Sequence, residues 1–545
     1  MHWLLRNLKT LFSKYISVLL MGLAANTLGG CGNNNISKEI INFIKKNPGE
    51  SIKAKFGSNL RNLIIKDAKI SNANFSGVLI FNCKFINTAF ENTKFFNSYI
   101  NKTTFENVSF RNSSFDQTEI SNSLFQVSSF FNVDFQNCEF MNTQFFSGFF
   151  KNAIFKQARM IHSSLIESFF QNSTFLDSKL KRVTFDGSSF EETLFSRIAL
   201  LGVSFKKSIF ENFEINSSNI NVGSFLDSNF VSIKFIDSDV KSANFNNTLI
   251  DNIEFDQVKM SQSSFSKADI KYIKLSNVNL NNVDFISNQI GIFANTQVSM
   301  FRTNITNNKI KSFSIQESNL YKSFYYSNII SDYSIENSEI SNLEHESNVY
   351  TNLSLINGQG HNISFLNNQI SKYKQRNFNI NFITFKNSQV REINISGSEI
   401  KGLSFIDVMN NSLDIEESKL SHLLFINSNF DTVNIFNSSS EEVYSLNSQI
   451  SLFTQMKIIQ SFNEINLSQM NLAHFSLSDI QFFNQNIKNL NLYNANLNRV
   501  EFINSILDNL NVQEASLKEI KLFDSSIKNT DLTKAKIVNI INNKQ

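Results

Sequence analysis

The side chains of this 545-residue chain that could do chemistry are six histidines, three cysteines and a scatter of carboxylates. Metal binding and acid–base catalysis need such groups to converge on one point. His2, His162, His361, His422 and His474 pair with nothing at metal-ligand spacing, and the sequence has no phosphate-binding glycine loop, nucleophile elbow or paired zinc knuckle. Asp116, Glu119, Glu191 and Glu192 fall between the apolar centres of the repeat described below, where carboxylates face solvent. The expectation is a chain with no catalytic residues, no metal and no cofactor. His345 stands apart, because the repeat places it in a core column between Tyr325 and Phe365. An imidazole stacked between aromatic rings is the reading favoured over a ligand or a proton switch.

The element that positions all these residues is a repeat. From Leu60 to Ile450, residues whose number is divisible by five are overwhelmingly apolar, as in Phe75, Ile80, Phe85, Phe90, Phe95 and Ile100. A helix repeats every 3.6 residues and a strand every 2, so a strict period of five calls for a coil with corners. The residue two places earlier is often small, as in Ala73, Cys83, Thr88 and Thr93, and strand alternation turns it inward as well. Asn is frequent two places after the centre, as at Asn82, Asn87, Asn92 and Asn97. Asn tolerates positive φ, which suits a tight corner. The composition, with 57 Phe, one Pro and one Trp, fits a regular core and not a disordered chain.

Ala73-Asn74-Phe75, Ala243-Asn244-Phe245 and Ala495-Asn496-Leu497 resemble the units of the pentapeptide-repeat family. The resemblance implies an all-β fold, a right-handed quadrilateral β-helix in which four pentads make one turn. A second period of twenty should then exist, and it does. Phe90, Phe110, Phe130, Phe150, Phe170 and Phe190 form one column, and Phe85, Phe105, Phe125 and Phe145 another. A third begins at Phe75 and Phe95, and the fourth, with Ile80, Ile100 and Ile120, is mainly aliphatic. The whole repeat amounts to about 24 coils. Cys83 and Cys138, on different faces and nearly three coils apart, are too distant for a disulfide.

Packing shifts along the repeat. After Thr193 the small column becomes Phe213, Ile233, Ile253 and Ile273, while the neighbouring centres shrink to Ile215 and Leu275, which conserves volume. Asn308, Asn328, Asn348 and Asn368 occupy one inward column and predict an amide ladder. The pattern is ragged between about 295 and 375, with Asn295, His345, Gly360 and Gln375 at centres. The organisation expected is a leader over 1–30, a linker and capping helix over 31–58 with the helix at Ser37–Lys46, and a main solenoid over 59–450. A register-shift loop over 451–461 and further coils over 462–545 follow. The last coil is a candidate contact for a homodimer. Outward Phe149 and Phe169, with Phe146 near them at a corner, form a candidate interaction patch.

Basic Arg6, Lys9 and Lys14 precede an apolar stretch from Tyr15 to Ala25, too short for a membrane span and suited to a secretory signal. Leu28-Gly29-Gly30-Cys31 resembles the lipobox of bacterial lipoproteins, which implies lipidation at Cys31 and attachment to a membrane. The resemblance further implies an outer-membrane lipoprotein of a bacterial envelope; with an incidental lipobox the chain would be secreted or cytoplasmic. The formal charge of +3 disappears with the three leader cations, and a neutral chain has no electrostatic reason to seek nucleic acid. The leading expectation is a non-catalytic, lipid-anchored scaffold with a protein partner. Two alternatives come from the family: an effector of an intracellular bacterium, and, less well matched, the acidic DNA mimics that shield type II topoisomerases.

Overall fold

Successive pentads form short strands, and each strand pairs in parallel with the one twenty residues later. Phe85 lies beside Phe105, and Phe105 beside Phe125, on adjacent coils. The computed structural model describes residues 34–436, 438–446, 448–454, 462–463, 476–483 and 486–543. It is a parallel β-solenoid of about 22 turns, close to the number the repeat predicts.

One coil shows why this sequence turns as it does. Between 101 and 120 the inward residues are Thr103, Phe105, Val108, Phe110, Ser113, Phe115, Thr118 and Ile120, all buried. Corners fall at Lys102, Asn107, Asn112 and Gln117, with φ of 52°, 52°, 51° and 58°. A left-handed residue turns the chain sharply, and in this coil the inward residue that follows is small or β-branched: Thr103, Val108, Ser113 and Thr118. That residue also has hydrogen-bonding work. The Thr103 hydroxyl donates to the Asn101 carbonyl at 3.1 Å, and the Thr103 N–H donates to the Ser123 hydroxyl one coil on, also at 3.1 Å. Such bonds satisfy backbone groups that a corner removes from the strand ladder.

The centres stack. Ring centroids lie 4.4 Å apart for Phe105 and Phe125, and 4.7 Å for Phe125 and Phe145. In the neighbouring column Phe130 and Phe150 lie 4.6 Å apart and Phe150 and Phe170 4.7 Å. Columns meet edge to face, as Phe105 meets Phe110 at 5.7 Å and 62°. Offset stacks along the axis and T-shaped contacts across it are the two favoured arrangements of aromatic pairs.

The four-cornered section is not kept throughout. In the coil from 301 to 320 the corners are Arg302, Asn307 and Glu317, and Ser312 lies inside the strand Lys309–Gln316. In the coil from 401 to 420 only Asp407 and Glu417 turn left-handed, at the ends of the long strands Glu399–Ile406 and Met409–Glu416. Each lost corner follows the replacement of its small inward residue by a bulky one. Phe213 enters while Asn212 still has φ 50°, and by Ile253 the former corner Asn252 is part of the strand Leu249–Asp256. Leu343 and Ile363 likewise precede the straightening at Phe382. An Ile offers no hydroxyl acceptor for a corner N–H, and where the corner is lost the backbone returns to the ladder, as Ile253 pairs with Ile273; Ile198 and Ile363 still follow left-handed corners.

At the start of the solenoid, α1 (Asn34–Lys46) begins a turn before the expected Ser37 and buries Ile40 and Ile44 against the first coil. A second short helix, α2 (Ile52–Phe56), is capped by the Ser51 hydroxyl, which accepts from the Ala54 N–H. Phe43 and Phe56 tie the two helices edge to face at 5.5 Å. The strand Gln449–Thr454 carries the first register past 450, so the expected loop cannot begin at 451. Residues 455–461 lie outside the described residues. Farther on, Asn489, Asn494, Arg499 and Asn504 again turn left-handed at every fifth position, around buried Leu492, Leu497 and Phe502. The leader and Cys31 also lie outside the described residues.

Candidate functional site

The ragged coils hold a buried polar seam. His345 is 2% exposed and lies between Tyr325 and Phe365, with ring centroids at 4.6 and 4.7 Å. Its Nδ1 is hydrogen-bonded to the Tyr350 hydroxyl at 2.8 Å. Burial holds the imidazole down at about 3, so it is neutral at ordinary pH, and burial pushes the Tyr350 phenol well up. A neutral, enclosed imidazole packed on two rings has no route to a substrate.

The amide column forms a continuous ladder. Asn308 donates its side-chain N–H to the Asn328 Oδ1 at 3.1 Å, Asn328 to Asn348 at 2.9 Å, and Asn348 to Asn368 at 3.2 Å. Each Oδ1 also accepts the backbone N–H of the preceding rung, and each side-chain NH2 also donates to a backbone carbonyl, as Asn328 does to Ile305 at 2.6 Å. Every hydrogen-bonding site of Asn328 and Asn348 is thereby used, which is the condition for burying an amide without penalty. The ladder starts one coil earlier than expected, at Asn288, which bonds Asn308 at 2.9 Å. The signal was available: Asn288 stands twenty residues before Asn308.

Two other irregular centres are explained by neighbours. Gln375 accepts from the Tyr373 hydroxyl at 2.8 Å and donates to the Phe378 carbonyl at 2.6 Å. Phe378 fills a position that is small on other coils, and a Cβ on Gly358 would sit 2.4 Å from its ring. A Cβ on Gly360 would meet Ile340 and Ile363 at 3.1 and 3.0 Å. Gly358 makes room for a ring contributed by the next coil, and Gly360 for the side chains of Ile340 and Ile363. Cys83 and Cys138 are buried, free thiols, pushed up by desolvation.

On the outside, Phe149 and Phe169 stack at 5.4 Å, and Phe131, which sequence reasoning missed, joins Phe149 at 5.3 Å. Arg111 lies 5.0 Å over the Phe131 ring. All three rings are half-buried, and Phe146 lies across the Ser147 corner on the next face.

A larger feature lies beside the ragged coils. A groove of about 570 Å³ crosses five coils and is centred on Gly360. Its floor is Ile340, Gly360 and Ile380, and Gly360 is half-exposed where the other two are buried. One wall is the row Asn319, Glu339, Gln359, Asn379 and Glu399; the other runs from Tyr321 through His361 to Lys401. Gln359 donates to Glu339, Asn381 bonds the His361 Nδ1 at 3.1 Å, and Asn379 accepts the Glu399 N–H at 2.8 Å. Among the described residues no cluster of His, Cys, Asp and Glu could hold a metal ion, and no helix is long and apolar enough to cross a membrane.

Residues 73–112 match the model of the pentapeptide repeats family in eight copies. No curated protein matches the chain. Among solved structures, HetL, a pentapeptide repeat protein involved in heterocyst differentiation regulation in the cyanobacterium Nostoc, is 11% identical. That match covers 45% of this chain and 93% of HetL, with a TM-score of 0.20. A trypsin-treated variant of QnrB1, a plasmid-mediated fluoroquinolone resistance protein, is 13% identical over 41% of this chain and 92% of its own, with a TM-score of 0.19. The alginate lyase AlyGC is 9% identical over 93% and 99%, with a TM-score of 0.18. The fold assignment rests on the twenty-residue ladder itself.

Proposed function

We propose that this chain is a non-catalytic scaffold of a bacterial cell envelope, lipid-anchored at Cys31, that presents the flank of its solenoid to other molecules. The observation that carries the non-catalytic part is the use of the inward positions. In the coils from 60 to 230 they are filled by stacked rings, aliphatic side chains and small residues hydrogen-bonded to the backbone. In the ragged coils His345 is paired with Tyr350 and each Asn rung with the next, and the polar atoms left unpaired, such as the Tyr325 and Tyr333 hydroxyls, are buried out of reach of solvent. An active site needs groups free to engage a substrate. The anchor is supported by the order of basic leader, apolar stretch and Leu28-Gly29-Gly30-Cys31.

Metabolic palmitate labelling with and without globomycin tests the anchor. Wild type should incorporate label and fractionate with membranes, and globomycin should accumulate the unprocessed form. A Cys31→Ser chain that labels and fractionates like wild type sinks the claim.

A further inference from the structure

We propose that the groove centred on Gly360 binds a neutral oligosaccharide strand lying along the solenoid axis. Four features of the groove point to that chemistry. It is elongated, since its walls are rows that advance one coil at a time, about 4.8 Å per step. A linear ligand with a regular repeat can therefore meet equivalent groups on successive coils.

Its walls offer donors and acceptors together. Asn319, Gln359 and Asn379 carry both on one side chain, which suits hydroxyl groups, themselves donors and acceptors. Its charges are mixed: Glu339 and Glu399 lie on one wall and Lys401 on the other, and Glu399 pairs with Lys419 at 3.5 Å. A strongly anionic ligand would meet no basic field here, which disfavours nucleic acid.

Flat apolar surfaces flank the polar rows. Tyr321 is 38% exposed, with its ring stacked on Phe301 at 5.7 Å and the Lys322 ammonium 5.0 Å from its centroid. Phe382 is 50% exposed and meets the His361 ring edge to face at 6.2 Å. The C–H face of a pyranose packs on such rings while its hydroxyls reach the amides. An extended peptide is the competing ligand, but strand addition needs a free edge. Gln359 is already paired with Glu339 on one side and Asn379 on the other.

The proposal stands whether or not Cys31 is lipidated. It is tested by applying the full chain, in detergent, to an array of neutral gluco-, manno-, galacto- and N-acetylhexosamine oligomers, with anionic glycans and a peptide set beside them. Binding to one neutral class is expected, weakened about tenfold or more by Tyr321→Ala and by Gln359→Ala. Phe149→Ala, on a distant coil, should bind as wild type, and circular dichroism should show all three variants folded. A silent neutral array, binding confined to anionic glycans or peptides, or Tyr321→Ala and Gln359→Ala chains that bind like wild type would overturn it.

Discussion

The coils around Phe110 and those around Phe405 share one register and one inward alternation, yet the first have four corners and the second two. In the first, every inward residue after a corner follows a left-handed residue, and the Ser and Thr among them return a hydroxyl to the backbone, as Ser128 does to the Gln126 carbonyl at 3.2 Å. In the second, Leu403 and Leu413 occupy the equivalent positions, and the backbone runs straight through Gly402 and Ser412 in eight-residue strands. The difference teaches that a bulky residue after the corner accompanies every corner lost here, although Ile198 and Phe378 show that bulk alone does not remove one. The centres, Phe105 and Phe405 alike, are indifferent to the change. The groove lies where the change from three corners to two is under way, so the transition that reshapes the core also shapes the surface.

The comparison is broken most severely by emptying a ring stack. Phe110→Ala removes a ring that touches both Phe90 and Phe130 and should cost about 3–5 kcal/mol. Because coils of a solenoid unfold by neighbourhood, the loss should appear in hydrogen exchange as lowered protection of coils near 90–130, with coils near 400 unchanged. Acid is the next largest perturbation, and it acts on the ragged coils. The imidazole of His345 is held at about 3 when folded and titrates near 6.5 when unfolded, so the unfolded chain binds the extra proton between those values. Stability contributed by these coils should be full above about pH 6.5, fall as pH drops towards 3 by up to a few kcal/mol, and then level. His345→Phe should flatten that dependence in exchange measurements made from pH 7 to 4.

Asn328→Ala removes the acceptor for the Asn308 backbone and side-chain N–H groups and should cost about 1–3 kcal/mol, read as faster exchange of the Asn308 amide. The corner rule itself is sharpened by Thr103→Ile, which imitates the two-cornered coils. It should cost about 1–3 kcal/mol from overpacking, and the amides beside Lys102 should lose protection first. A variant as well protected as wild type would mean that bulk after a corner is not what straightens it.

Much of this was legible in the sequence because a solenoid repeats its constraints. The five-residue period marks the inward centres, and the twenty-residue period marks which of them stack, as with Phe85 and Phe105. Asn at the corners carries the left-handed turn. The straightening of corners was not legible, although the exchange of Thr193 for Phe213 and Ile233 is written plainly. Volume conservation says how much fills a coil, and the path of the backbone depends also on where a corner N–H finds an acceptor. Gly358 was unreadable for another reason: the ring that requires it, Phe378, comes from the next coil and breaks the small-residue pattern there. The groove joins residues of five coils, each unremarkable in its own pentad, so only the stacked rows reveal it.

The architecture also has a functional direction. Coils from about 60 to 300 separate the N-terminal helices from the groove by roughly 60 Å at the spacing of parallel strands. A solenoid anchored at that end and standing upright would hold its groove about that far from the membrane. The most direct test of that account is peroxidase-based proximity labelling in native cells, with the enzyme fused beyond the last coil. Extracytoplasmic envelope proteins should dominate the labelled set, and Cys31→Ser should disperse it. A set dominated by cytoplasmic proteins, type II topoisomerases among them, would contradict the account.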